Sequence, residues 1–276
     1  MAFYTIEQQE MGGKFVLFGE EGKGKTNLAK RFPKPLYFRM EKGLTDKGMM
    51  VSDPKNVQEF INDLLSIYNF APERAEGDPV PEMPNGAKSV VVDTITKLET
   101  YINDAFVQEH QIETLADFGG RKAFGAFVWR DSVIPKWDYI LDLLDAIQAK
   151  YECNIVLVCH DQMKEKKQRN DEGFQVKDVY LVNPKIPDRI RQWADVVAFI
   201  YEDVLTGTVG SELSKQNIAR GLEGPKIGLD SDGSFHAKTR EFGGRVNIQA
   251  IKQQKSIPYE FEGTTFFNVF SEVLAK

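Results

Sequence analysis

Gly19-Glu20-Glu21-Gly22-Lys23-Gly24-Lys25-Thr26 is the stretch whose reading decides the fold. An apolar run, Phe15-Val16-Leu17-Phe18, precedes it, and Asn27-Leu28-Ala29-Lys30-Arg31-Phe32 follows. The order is strand, glycine-rich loop, helix start. The spacing G-x-x-x-x-G-K-[ST] is that of a loop that cradles phosphates. Glycines let the backbone come close to a ligand. Their N–H groups then converge as an anion nest at the positive end of a helix. On this pattern Gly19 through Asn27 line the phosphates of a nucleotide. Lys25 reaches the β- and γ-phosphates, and the Thr26 hydroxyl binds Mg²⁺. Asp93 is the second phosphate-site signal. It closes Ser89-Val90-Val91-Val92, a continuous run that predicts a strand buried on both faces. An aspartate there either caps the next helix or holds Mg²⁺ beside a phosphate loop. The upstream loop favours the metal.

Outward from these two strands, apolar runs alternate with amphipathic stretches. Strands are expected at 14–18, 36–40, 89–94, 154–159 and 195–201, and helices at 57–71, 96–109 and 131–150. Residues 57–71 carry Val57, Phe60, Ile61, Leu64, Leu65 and Tyr68, the helical spacing of one buried face. Pro72 to Gly86 reads as a surface loop, 161–185 as a mobile basic loop, and 205–234 as a small β excursion. Ser234 to Arg240 suggests a last strand, and 264–275 a C-terminal helix that packs back. This alternation predicts an α/β fold, a mostly parallel central sheet flanked by helices. A single domain is expected over residues 1–276, with its core at about 13–242.

The chain has 276 residues, is 42% hydrophobic, and carries a net charge of −6. It can bury a sizeable core, which excludes a disordered chain. Its acidic balance means that any nucleic-acid contact must come from local basic patches. The two cysteines, Cys153 and Cys159, flank an apolar run and do not have zinc-site spacing; buried free thiols in a reducing compartment are expected. No apolar run reaches transmembrane length and no signal-peptide pattern opens the chain, so a soluble cytoplasmic protein with no membrane role is expected.

Five spaced elements carry a resemblance: the phosphate loop, Glu41 after the second strand, Val91-Val92-Asp93-Thr94, Val158-Cys159-His160 and Ala237-Lys238-Thr239-Arg240. In this order they resemble the phage AAA-type, RecA-like ATPases of the "Sak-four" single-strand-annealing and recombinase group, over residues 13–242. The resemblance implies a RecA-like core and an ATP- and Mg²⁺-dependent ATPase. It assigns Glu41 to activate the attacking water, as a carboxylate near the γ-phosphate can; a surface or capping glutamate is the alternative. It assigns His160 to sense the γ-phosphate, against the alternative of a packed core histidine. Lys238 and Arg240 resemble the K-x-R motif of RadA, DnaB-type and KaiC-like ATPases. There such cations reach a neighbour's γ-phosphate, as an arginine finger does; the alternative is a pair of surface cations.

For partners, the resemblance implies a homo-oligomer, ring or filament, with ATP between subunits, on single-stranded DNA and alongside a phage single-strand-binding protein. Two segments would face the DNA. One offers Arg121, Lys122 and Phe124, and the other Lys164, Lys166, Lys167 and Arg169. Cations neutralise phosphates and an aromatic stacks on bases, although such a charge run is also what a solvated face looks like. Rival readings are a helicase loader or helicase-like motor, a regulatory ATP-binding module, and a small-molecule kinase. The last would need an arginine-rich lid, whereas 161–185 is mostly lysine.

Overall fold

The computed structural model describes residues 12–41, 48–73, 75, 77–119, 127–166, 174–209, 216–228, 238–239, 257–258 and 265–274. Six strands form the parallel heart of the sheet: β1 (Lys14–Gly19), β2 (Pro35–Arg39), β3 (Met50–Ser52), β4 (Ser89–Asp93), β5 (Asn154–Lys166) and β7 (Val196–Val209). Their spatial order is β7-β1-β5-β4-β2-β3. β5 therefore lies between the phosphate-loop strand and the strand ending in Asp93. Antiparallel strands extend this core. β6 (Phe174–Val179) pairs with β5, while β8 (Gln216–Gly228) and β9 (Lys238–Thr239) pair with β7, and β10 (Ile257–Pro258) with β8. The result is an α/β fold, a mostly parallel central sheet flanked by helices.

Alternation along the strands builds two cores. Val16, Phe18, Phe38, Val90, Val92, Ile155 and Leu157 point to one face. There they meet α2 (Val57–Tyr68), α3 (Ile95–Glu109), α5 (Ile134–Tyr151) and α6 (Ile186–Trp193). Phe15, Leu17, Tyr37, Val91, Val156 and Val158 point to the other. That face is covered by α1 (Lys25–Ala29) and by two short C-terminal helices, α7 (Thr265–Val269) and α8 (Ser271–Leu274). Phe270 and Phe32 meet the Phe15 ring edge-on, with centroids 5.6 and 5.0 Å away, a geometry that aromatic quadrupoles favour. Cys153 and Cys159 are buried and free; burial pushes both thiols up to about 12.

Several expected elements differ. The helix expected at 131–150 is broken at Val133 into α4 (Trp129–Ser132) and α5, with Pro135 in the first turn of α5, where its missing N–H costs nothing. β3 had no periodic signal, being only three residues long. The C-terminal helix is two short ones. The largest correction concerns 161–185, which is not a loop throughout. β5 continues to Lys166 and pairs antiparallel with β6, Asp161 opposite Val179 and Lys166 opposite Phe174. Its charged residues hid the strand, because their pairing is across the hairpin and not along the chain. The excursion after β7 is a longer hairpin than expected, in which β7 and β8 pair from Phe199 to Val209 with two irregularities.

Candidate nucleotide site

The site forms where the parallel strands end. β1 delivers Gly19 between His160 of β5 and Ile200 of β7. A Cβ on Gly19 would sit 2.1 Å from the Ile200 carbonyl oxygen, so no larger residue fits without a shift. Gly24 takes a left-handed conformation, φ 95° and ψ 8°, and turns the chain into α1. Lys25 is almost fully buried. Its ammonium donates to the carbonyls of Gly19 (2.7 Å) and Glu20 (2.6 Å). Burial lowers its pKa, an effect that nearby Asp161 and Asp93 partly offset.

Thr26 and Asp93, distant in sequence, meet here. The Thr26 hydroxyl donates to Asp93 Oδ2 at 2.7 Å. The Tyr37 hydroxyl donates to the same oxygen at 2.5 Å. Asp93 is 8% exposed, and desolvation raises its carboxyl above the usual range despite these two hydrogen bonds. Thr94, not Asp93, caps α3 by accepting from the Lys97 N–H. A hydroxyl and a carboxylate at the foot of a phosphate loop are hard oxygen donors, and they fit a magnesium ion.

Glu41 and His160 lie across the same cavity, which has a volume of about 310 Å³. Glu41 accepts from the Thr94 hydroxyl at 2.8 Å, and His160 Nε2 is 3.6 Å from its carboxylate. His160 and Thr94 hold the Glu41 carboxyl below its ordinary value against the opposing effect of burial. The His160 ring is partly exposed at the end of the buried part of β5. Glu21, Gly22 and Asn27 line the cavity wall. Lys23 pairs instead with Glu202 of β7, and Glu20 with Lys177 of β6.

Of the residues expected to meet DNA, Arg121, Lys122, Phe124, Lys167 and Arg169 lie outside the described residues, as does Arg240. Lys166 and Lys238 are described in backbone only, in β5 and β9. Lys164 sits 3.4 Å from the buried carboxylate of Asp178, which Arg191 also contacts. Sequence reasoning missed Tyr37, Thr94 and Lys177. Tyr37 had a signal, a hydroxyl inside an otherwise apolar strand; Lys177 had none, because its partners lie on other elements.

The glycine loop, the strand order and the paired Thr26 and Asp93 define a phosphate-loop ATPase. The AAA-domain family AAA_24 matches residues 11–241, and the chain belongs to that family. No curated protein matches it. Among solved structures, the crystal structure of the RadB recombinase is similar at 13% identity, covering 78% of this chain and 91% of that one, with a TM-score of 0.40. Among the described residues, no helix is long and apolar enough to cross a membrane.

Proposed function

We propose that the protein is a Mg²⁺-dependent ATPase that assembles on single-stranded DNA and uses its nucleotide state to control that binding. The observation that carries the ATPase reading is the Thr26–Asp93 contact at the foot of the phosphate loop, with Glu41 across the same cavity. Thr26 and Asp93 would hold the ion, whose chemistry is to neutralise charge on the β- and γ-phosphates. Lys25, already poised among loop carbonyls, transfers its donors to phosphate oxygens. Glu41 is kept ionised by its neighbours and so is able to orient and deprotonate water. His160, beside Glu41, reports whether the γ-phosphate is present.

The oligomer reading is supported by the path of β9. Lys238 pairs with Val197 and Thr239 with Val196, and those residues align with Val16 and Phe15 on β1. β9 thus runs from Lys238 to Thr239 away from its own phosphate loop. The single-stranded DNA reading rests on the basic sequence run Lys164 to Arg169 and on Arg121, Lys122 and Phe124. The cellular setting this reading implies is a single-domain phage protein in the host cytoplasm, working in recombination or annealing beside a single-strand-binding protein.

The test is ATP hydrolysis measured with and without Mg²⁺ and with and without single-stranded DNA. Hydrolysis that needs Mg²⁺ and rises with DNA is expected. Hydrolysis without any DNA stimulation, together with no DNA binding at low salt, removes the DNA half and leaves an ATP-binding module or a helicase-loading role.

A further inference from the structure

We propose that Lys177 is a positioning residue that fastens the β5–β6 hairpin to the phosphate loop, so that nucleotide occupancy of the loop is transmitted to the hairpin. The proposal rests on the nucleotide-site reading above and makes Lys177 the connection between the loop and the hairpin.

Lys177 sits on the returning strand β6, opposite Met163 of β5. Its ammonium is 2.9 Å from Glu20 Oε1 and 2.7 Å from Asp161 Oδ2. Glu20 is the second residue of the phosphate loop. Asp161 directly follows His160 on β5, and its side chain is 8% exposed. One side chain therefore joins three elements: the loop that would take the phosphates, the strand carrying His160, and its antiparallel partner β6.

The electrostatics give this contact a reason. Glu20 and Asp161 are two carboxylates beside a loop meant for an anion, and without a cation between them they would repel each other and the phosphates. Lys177 neutralises both, and contact with it lowers the Glu20 carboxyl. A phosphate entering the nest shifts the Glu20 backbone, whose carbonyl already accepts from Lys25. When Lys25 leaves that carbonyl for phosphate, the Glu20 side chain and its Lys177 anchor respond together. The Tyr180 N–H donates to the His160 carbonyl at 2.8 Å and ties the end of β6 to the strand carrying His160.

The experiment is hydrogen–deuterium exchange of the full chain with and without a non-hydrolysable ATP analogue and Mg²⁺, in the unaltered protein and in Lys177→Met, Lys177→Arg and Glu20→Gln. In the unaltered protein, nucleotide is expected to slow exchange both in peptides covering 14–30 and in those covering 160–180. In Lys177→Met the 14–30 protection persists while the 160–180 response is lost, and Lys177→Arg restores it. Glu20→Gln, which removes the other end of the contact, loses the hairpin response too. A Lys177→Met hairpin that still responds overturns the proposal, as does an unaltered protein protected at 14–30 alone. An unaltered protein with no protection at 14–30 overturns the nucleotide reading itself, and the coupling falls with it.

Discussion

At the scale of single residues, Asp93 illustrates function held against stability. Its carboxylate is nearly dry and accepts from Thr26 and Tyr37, and burial raises its pKa. The folded state therefore binds its proton more tightly than the unfolded chain does. Its contribution to stability falls as pH rises from the ordinary carboxylate range through the raised value. Asp93→Asn is expected to stabilise the nucleotide-free protein at neutral pH by about 1 kcal/mol, a melting shift of roughly 2–4 °C. The same change abolishes Mg²⁺-dependent hydrolysis; calorimetry and a hydrolysis assay on one preparation check both. Glu41→Gln should lower kcat by about 10²-fold or more while leaving nucleotide affinity nearly intact, as loss of a base does, whereas Lys25→Ala should weaken both. Much of this site was legible in sequence. Gly19 to Thr26 has fixed spacing imposed by phosphate geometry, and Asp93 ends a run that only a buried strand explains. Tyr37 and Thr94 were not legible in their present roles, because which hydroxyl meets which carboxylate depends on strand register.

At the scale of elements, periodicity found the helices that pack on the sheet and the strands buried on both faces. α2 and β4 come out almost where their patterns predict. It failed for the β5–β6 hairpin, whose residues are charged and satisfied by partners such as Asp178. A solvated loop and a polar hairpin have the same composition, and only cross-strand pairing separates them. The C-terminal segment was legible as a packing element, since its phenylalanines recur at helical spacing. Phe270 is fully buried against Phe15, behind the phosphate-loop strand. Phe270→Ala is expected to cost about 3 kcal/mol, read as a lower urea midpoint with an unchanged slope. Gly19→Ala should cost about 1–3 kcal/mol by overpacking against Ile200, and it should also disturb nucleotide binding.

At the scale of the whole molecule, net charge and the direction of β9 bear on assembly. If Arg240 serves a neighbour's site, two inactive variants complement each other. Glu41→Gln mixed with Arg240→Ala is expected to recover part of the hydrolysis that neither shows alone, through interfaces that combine the intact halves. No recovery on mixing, in samples that light scattering shows to be co-assembled, would place Arg240 outside the reaction. Sheet order has a further consequence, for the timing of folding. The phosphate-loop strand is made well before its partners, which begin only at Ile155 and Val196. Pairings so distant along the chain form slowly, because the intervening loop must close before they stabilise anything. While the chain is being synthesised, Gly19 to Thr26 must therefore wait, without a sheet to rest on, until both flanking strands have left the ribosome. A nascent chain stopped before Val196 would carry the whole nucleotide motif and bind no nucleotide.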